Sequence, residues 1–416
     1  MSRLLIWIDA TSRDHERRIF GMSLLERLLR GVEESDCEPD AIEVALAGRS
    51  ATPELPAELT ARLPVRFSHA EASFGERLAR AWGGANGALL ALSSDSVVDP
   101  RLIARLAGAK GSLAFLADED GGRAAVVRLE PEAGAPDPQA KDLRDAAERA
   151  LATGAVKALP EAEFDGYVEK LRRRVAPYLF RIDGREAITR VERFLFWSNY
   201  KGSTDFMTRY VYPPLVWALL RPLARRRVHP NWITAFNWMA TFACLPLFAR
   251  GAWIPGLALA YLMSVLDSVD GKLARLTYTS SRVGDVLDHG LDIVHPPFWY
   301  LAWGFALGDG STASAPYQAA LVFFAVYVLD RIVAAIFRER TGTSIHGATP
   351  TDEWMRTFIS RRNVNLPIFT VGLLVDALAG THVAARAAFY LIVAWQALSL
   401  AWHAQRLGVF WSTRLR

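Results

Sequence analysis

The residues with the most chemistry to offer are four aspartates in otherwise apolar surroundings. From Asp267 the chain reads Asp267-Ser-Val-Asp270-Gly271-Lys-Leu-Ala274-Arg275. After eight more residues it reads Gly284-Asp-Val-Leu-Asp288-His-Gly-Leu-Asp292. At about 100° per residue, Asp267, Asp270, Gly271, Ala274 and Arg275 share one broad helix face, while Gly284, Asp288 and Asp292 form a narrower i, i+4, i+8 stripe. Two antiparallel helices would aim all four carboxylates at one point. One charge at a bilayer centre costs about 2.5–3.5 kcal/mol on insertion scales, so four without compensation are prohibitive. Hard divalent cations, Mg²⁺ or Mn²⁺, are what an all-oxygen cluster selects. Gly271 and Ala274 leave room for a ligand, and Arg275 puts a cation where a phosphate can sit. The competing reading pairs the aspartates with arginines at the helix ends, where they only hold a bundle together.

The elements that would position these residues show in the composition. Hydrophobic residues make up 51% of the 416 and charged residues 22%. The mean hydropathy is nonetheless positive, +0.12, so the two properties sit in different parts of the chain. Apolar windows at 231–250, 253–274, 284–307, 315–337, 364–380 and 383–404 are each near the length that crosses a ~30 Å hydrocarbon core. Residues 206–224 are apolar but interrupted by Pro213, Pro214, Arg221 and Pro222, which suits a helix lying along the interface. Arginines crowd alternate loops: Arg225 to Arg227, Arg275 and Arg282, Arg338 to Arg362, and Arg406 to Arg416. That asymmetry predicts six spans in a cell (inner) membrane, with both termini cytoplasmic. Thirteen Trp suit interfacial belts, and a formal charge of +4 does not point to nucleic acid. Cys37 and Cys244 are too few and too far apart for a disulfide framework or a metal knuckle.

The arrangement D-x2-D-G-x2-A-R-x8-G-x3-D-x3-D resembles the signature of the CDP-alcohol phosphotransferase family, with every fixed position present. The resemblance covers about 204–406 and implies a six-helix membrane domain that transfers a substituted phosphate from a CDP-alcohol to a hydroxyl, releasing CMP. It implies two metal ions held by Asp267, Asp270, Asp288 and Asp292, with Asp292 also the general base. Gly271, Ala274, Arg275 and Gly284 would lie against the cytidine diphosphate. Pro230-Asn231-Trp232-Ile233-Thr234 is a proline-initiated helix start that also looks like the family's P-N-x-I/V-T entry, giving Asn231 and Thr234 a nucleotide contact. A homodimer is implied too. CDP-diacylglycerol is the expected donor, since a site in a bilayer suits a lipid and so phospholipid biosynthesis. The alternative is a soluble donor such as CDP-inositol, with an inositol phosphate as acceptor.

Residues 201–209 resemble the K-x-T-D-G-x-x-x-R region of the inositol-phosphate branch, with Phe206 in place of glycine, and Arg361-Arg362-Asn363 resembles its R-R-D stretch. On that resemblance Lys201, Arg209, Arg361 and Arg362 are candidates to hold an acceptor phosphate. The plain reading is a solvated linker meeting anionic headgroups. His289 and His295 are expected to pack or hydrogen-bond rather than to bind metal.

The first 180 or so residues read as soluble α/β. Apolar runs at 4–8, 42–46, 88–92, 113–116 and 124–127 alternate with helical patterns such as 24–29, which predicts a mostly parallel sheet with covering helices. Residues 20–27 and 92–100 look like pieces of a nucleotidyltransferase, of the kind fused in front of some family members as an inositol-phosphate cytidylyltransferase. The loop after the first strand, Asp9 to Arg18, has no glycine to cradle a triphosphate, and Asp14 and Glu16 would repel one. A degenerate nucleotidyltransferase-like domain over 1–180, a linker and interfacial helix over 181–225 and a six-helix membrane domain over 226–416 are therefore expected. A further alternative is a nucleotide-binding or scaffold module tethered to a silent bundle.

Overall fold

The structure, a computed structural model, describes residues 3–118, 122–168, 171–280, 284, 290 and 293–414. By their contacts these fall into two compact units. The first holds the described residues up to 168 together with Arg173–Asn199 and Leu276–Tyr278. The second holds 171–172, Tyr200–Arg275 and the described residues from Thr279 onward.

The first unit is built on a seven-stranded sheet. Its strands are β1 (Leu4–Ala10), β2 (Ala41–Ala47), β3 (Val65–Ala70), β4 (Ala88–Ser93), β5 (Leu113–Leu116), β6 (Ala125–Leu129) and β7 (Lys157–Ala158), in the order β7-β5-β6-β4-β1-β2-β3. β1 lies parallel between β2 and β4, with Ile6 opposite Ile42 and Leu90. Only β6 runs antiparallel to its neighbours. Strands so apolar on both faces need helices on both sides. They have them in α1 (Leu24–Glu34), α2 (Phe74–Gly83), α3 (Pro100–Ala107) and α4 (Leu143–Ala152). Two separate cores result. Ile6, Ile8, Leu25, Leu29 and Ile103 bury one face, and Trp7, Phe74, Leu89 and Ala147 bury the other. All five expected strands are present. The Pro- and Ala-rich stretch after β6 is a surface loop, with one short 3₁₀ turn at Pro131–Ala133. The helix α5 (Arg185–Ser198), within the segment expected to be linker, belongs by its contacts to this first unit.

The second unit is helical: α6 (Pro213–Arg225), α7 (Pro230–Ala249), α8 (Trp253–Leu276), α9 (Pro296–Leu307), α10 (Ala315–Thr341), α11 (Arg362–Ala379) and α12 (Ala384–Arg414). Three of these are long and apolar enough to cross a membrane: Pro230–Ala249, Ala315–Thr341 and Ala384–Ser412. The other expected windows are less simple. Helix α8 spans 24 residues but carries Asp267, Asp270, Lys272 and Arg275 near its end, and the 18-residue α11 carries Arg362 and Asp376. The window 284–307 includes α9, while 285–289 and 291–292 lie outside the described residues. An aromatic core joins the helices, with Trp303 stacked on Phe369 at 4.1 Å between centroids. Small residues bring helix backbones close. A Cβ on Gly304 would meet Ala320 Cβ and the Pro316 carbonyl at 2.7 Å, and one on Gly372 would meet Ala388 Cβ at 2.7 Å.

Candidate active site

Helix α8 can run unbroken because its only proline, Pro255, falls in the first turn, where no intrahelical donor is lost. It carries Asp270 into the protein interior, 3% exposed. The neighbouring α7 supplies that carboxylate with donors. Thr234 Oγ1 donates to Asp270 Oδ2 at 3.0 Å and Asn237 Nδ2 donates to the same oxygen at 3.5 Å, while the Gly271 amide donates to Oδ1 at 2.6 Å. Thr234, Asn237 and Thr241 recur at i, i+3, i+7, so one polar stripe runs up an otherwise apolar helix. Its third member accepts, through its carbonyl, a 3.0 Å hydrogen bond from Trp299 Nε1 of α9.

One turn before Asp270, Asp267 meets a cation. Arg362 Nη2 at the start of α11 donates to Asp267 Oδ2 at 3.0 Å. The same guanidinium reaches His295 Nε2 at 3.2 Å. Asn363 then extends the network to a second buried carboxylate: its Nδ2 donates to Asp205 Oδ2 at 3.2 Å and to Thr208 Oγ1 at 3.3 Å. Asp205 in turn accepts from the Thr208 amide and hydroxyl, both at 3.0 Å, and fixes the turn leading into α6. Three stretches far apart in sequence, 205–208, 267–270 and 362–363, are thereby tied together by side-chain hydrogen bonds.

The remaining candidates are distributed more widely. Among the described residues, a Cβ on Gly271 would find only the Arg275 guanidinium within 4 Å, with Nη1 at 3.4 Å. Ala274, Arg275 and Gly284 are half-buried. Thr234 is buried against Asp270, whereas Asn231 at the helix entrance is exposed. Lys201 and Arg209 are exposed, the latter with its guanidinium 5.6 Å from the Tyr210 ring centre. Arg361 and Arg362 are adjacent at the start of α11, and of the four acceptor candidates Arg362 is the one held on Asp267. Asp288, Asp292, Arg282 and His289 lie outside the described residues.

Asn237 was not among the expected site residues. Its signal was present all the same, as a polar residue one turn after Thr234 on the face that turns toward Asp270. Thr208 was also missed: besides its local partner Asp205, it is joined to Asn363, 155 residues away.

As a cation site, the described residues offer Asp267 and Asp270 one helical turn apart. Among them, no group of three or more His, Cys, Asp or Glu side chains lies close enough to hold an ion. Carboxylate oxygens suit a hard cation in type, and two more such groups would complete a usual oxygen shell. Asp288 and Asp292, expected to be those groups, lie outside the described residues.

In the first unit, carboxylates at or just past strand ends are bonded to arginines. Asp9 at the end of β1 accepts from Arg77 Nη2 at 3.1 Å and from Thr11 Oγ1 at 2.9 Å. Burial raises the Asp9 carboxyl above its ordinary value, and Arg77 opposes that shift. Asp95, just past β4, accepts from Arg181 Nε at 3.0 Å and from the hydroxyls of Ser93 and Ser96.

Residues 227–402 match the family model described as CDP-alcohol phosphatidyltransferase. An uncharacterized CDP-alcohol phosphatidyltransferase class-I family protein of Schizosaccharomyces pombe is 27% identical over 118 residues, 24% of this chain. The chain spans 30% of the length of that relative. Among solved structures, phosphatidylinositol phosphate synthase (PgsA1) of Mycobacterium tuberculosis with CDP-DAG bound is 18% identical. The match covers 47% of this chain and 94% of that one, with a TM-score of 0.38. HddC from Yersinia pseudotuberculosis is 11% identical over 47% of this chain and 99% of its own, with a TM-score of 0.27.

Proposed function

We propose that the CDP-alcohol phosphatidyltransferase domain at 227–402 moves a substituted phosphate from a CDP-alcohol, CDP-diacylglycerol in the first instance, to a hydroxyl acceptor, with release of CMP. The observation that carries this reading is Asp270: a carboxylate 3% exposed in an apolar helix, oriented by donors that include Thr234, Asn237 and the Gly271 amide. Donors of this kind orient a carboxylate as the outer shell of a metal site does. Asp267, Asp270, Asp288 and Asp292 would hold two Mg²⁺ or Mn²⁺ ions. Bound there, the ions would offset negative charge on the pyrophosphate and on the departing CMP.

The chain's own residues account for the rest. Gly271 and Ala274, which carry little or no side chain, lie against the cytidine diphosphate, and Arg275 and Gly284 flank it. Asn231 and Thr234 lie at the entrance of α7, with Thr234 acting through Asp270. Asp292 takes the proton of the acceptor hydroxyl as its oxygen bonds to the β-phosphorus. The bond from that phosphorus to the CMP oxygen then breaks, and CMP leaves. Arg362 holds Asp267 in place and holds a phosphate on the acceptor as well, together with Lys201, Arg209 and Arg361.

In this reading α8, α9 with the residues before it, and α11 also cross the bilayer, giving six spans. Both termini face the cytoplasm and the chain pairs as a homodimer. The first unit is a nucleotidyltransferase relative without that activity, which fits Asp9 and Asp95 being bonded to Arg77 and Arg181.

The test is Mg²⁺- or Mn²⁺-dependent CMP release from CDP-diacylglycerol by the purified full chain, with a pool of alcohols and alcohol phosphates. Release that disappears in Asp292→Asn supports the reading, and mass spectrometry of the product then names the acceptor. No release from folded protein with CDP-diacylglycerol, but release with CDP-inositol and an inositol phosphate, overturns the lipid donor. Release from neither overturns the transferase.

A further inference from the structure

A cleft of about 900 Å³ lies in the first unit, between α5 and the strand Arg173–Arg174. It belongs to neither the aspartate site nor the strand ends of the sheet. Arg173, Arg174, Arg185, Arg190 and Arg193 line it against a single acidic residue, Glu186. That excess of four positive charges equals the formal excess of the entire 416-residue chain. Among the described residues, no carboxylate lies within ion-pairing distance of Arg174, Arg185, Arg190 or Arg193, although most other arginines of this unit have one.

The way α5 folds explains the concentration. Ala187, Val191 and Leu195 bury one side of the helix. Arg185, Arg193, Arg190 and Trp197 fall within about 140° on the other, at 100° per residue. The cleft is not simply basic. Trp197, 49% exposed, Phe194 and Val175 are part of its lining. Guanidiniums beside an exposed indole form an amphipathic receptor: the fork geometry of arginine suits phosphate oxygens, and an indole rests where an oily surface meets a wet one.

We propose that this cleft binds the headgroup of an anionic phospholipid, with the phosphate among Arg185, Arg190 and Arg193 and the first methylenes against Trp197 and Phe194. Two features favour a lipid over a nucleic acid. The charge is gathered in one cleft rather than spread along a stripe, and the same chain carries three helices apolar enough to cross a membrane, the first beginning at Pro230. A free phosphate compound shares the headgroup chemistry but has no use for the aromatic wall. The inference is independent of the transferase reading.

The experiment uses the full chain in a neutral detergent, titrated with dioctanoyl-phosphatidylglycerol, dioctanoyl-phosphatidylcholine or glycerol phosphate by microscale thermophoresis. Hydrogen exchange across 185–198 is followed in parallel. Phosphatidylglycerol is expected to bind saturably and to slow exchange in α5. The double variant Arg190→Gln/Arg193→Gln, at exposed positions, should weaken that binding about tenfold or more. Trp197→Ala should weaken it while keeping every charge, and Asp267→Asn should leave it unchanged. Equal binding of phosphatidylcholine, wild-type binding by the double variant, or no change in exchange at α5 overturns the proposal. Glycerol phosphate binding as tightly as phosphatidylglycerol replaces the lipid with a soluble phosphate and overturns it as well.

Discussion

Replacing Arg362 by glutamine tests the geometry of the aspartate site directly. The guanidinium donates to Asp267 at 3.0 Å and reaches His295 at 3.2 Å, and the two paired side chains are 9% and 17% exposed. Removing one partner of a buried pair costs about 3–5 kcal/mol. In a unit of this size each kcal/mol moves the melting temperature by about 2–4 °C, so a fall of about 6–20 °C is expected.

Cys244 provides the assay. It has no exposed surface, and in a Cys37→Ser background its reaction with a fluorogenic maleimide reports unfolding of the second unit alone. Metal gives the test a second arm. An ion bound only to the folded state at 100 times its dissociation constant adds about 2.7 kcal/mol. Mn²⁺ should therefore raise the wild-type melting temperature by about 5–11 °C. The rise should be at least as large in Arg362→Gln, where the ion replaces the missing positive charge, and absent in Asp267→Asn and Asp270→Asn. If Arg362→Gln melts within about 2 °C of wild type without metal, the pair is not a buried one. If Mn²⁺ stabilises Asp267→Asn as much as wild type, Asp267 is not a ligand.

Two further outcomes follow from the same structure. Thr234→Val keeps the shape but removes the hydroxyl donor on Asp270, so the Mn²⁺ concentration for half-maximal CMP release should rise about 10–100-fold, and an unchanged value would show that this hydrogen bond does not orient a ligand. His346, in the loop between α10 and α11, is held well below its ordinary value by burial and then by Arg361, Arg356, His403 and Arg331. It stays neutral when folded while the unfolded chain takes up a proton, so stability is full above about pH 6.5 and falls by up to about 1.4 kcal/mol per pH unit below it. Melting by the Cys244 assay at pH 7.5 and 5.5 should show this drop in wild type and a smaller one in His346→Gln.

The α/β unit was legible because its strands are short apolar runs and its helices are amphipathic, both local patterns. The runs at 4–8, 42–46 and 88–92 became β1, β2 and β4, lying side by side as parallel strands. The first half of the aspartate motif was legible for the same reason: Asp267, Asp270, Gly271, Ala274 and Arg275 lie within the single helix α8, and carboxylates in apolar surroundings need a cause. The membrane spans were less so. Length and apolarity identify α7, α10 and α12, but the charges that give α8 its chemistry also blur its outline as a span.

What no local pattern held were the partners of these groups. A helix period places Asp267 and Asp270 on one face of α8, but it does not say which chain segment arrives there. Packing of α7 and α11 against that face brought Thr234, Asn237 and Arg362, from 36, 33 and 95 residues away. The basic cleft is a similar case. The arginines at 173–174 and 185–193 are unremarkable in the chain, and only the docking of α5 against the sheet unit turned its charged face toward that strand. Sequence determined which groups demand compensation, because burial cost depends on residue type and span. The tertiary structure decided what supplies it, because the compensating atoms are distant in the chain and meet only when the helices pack.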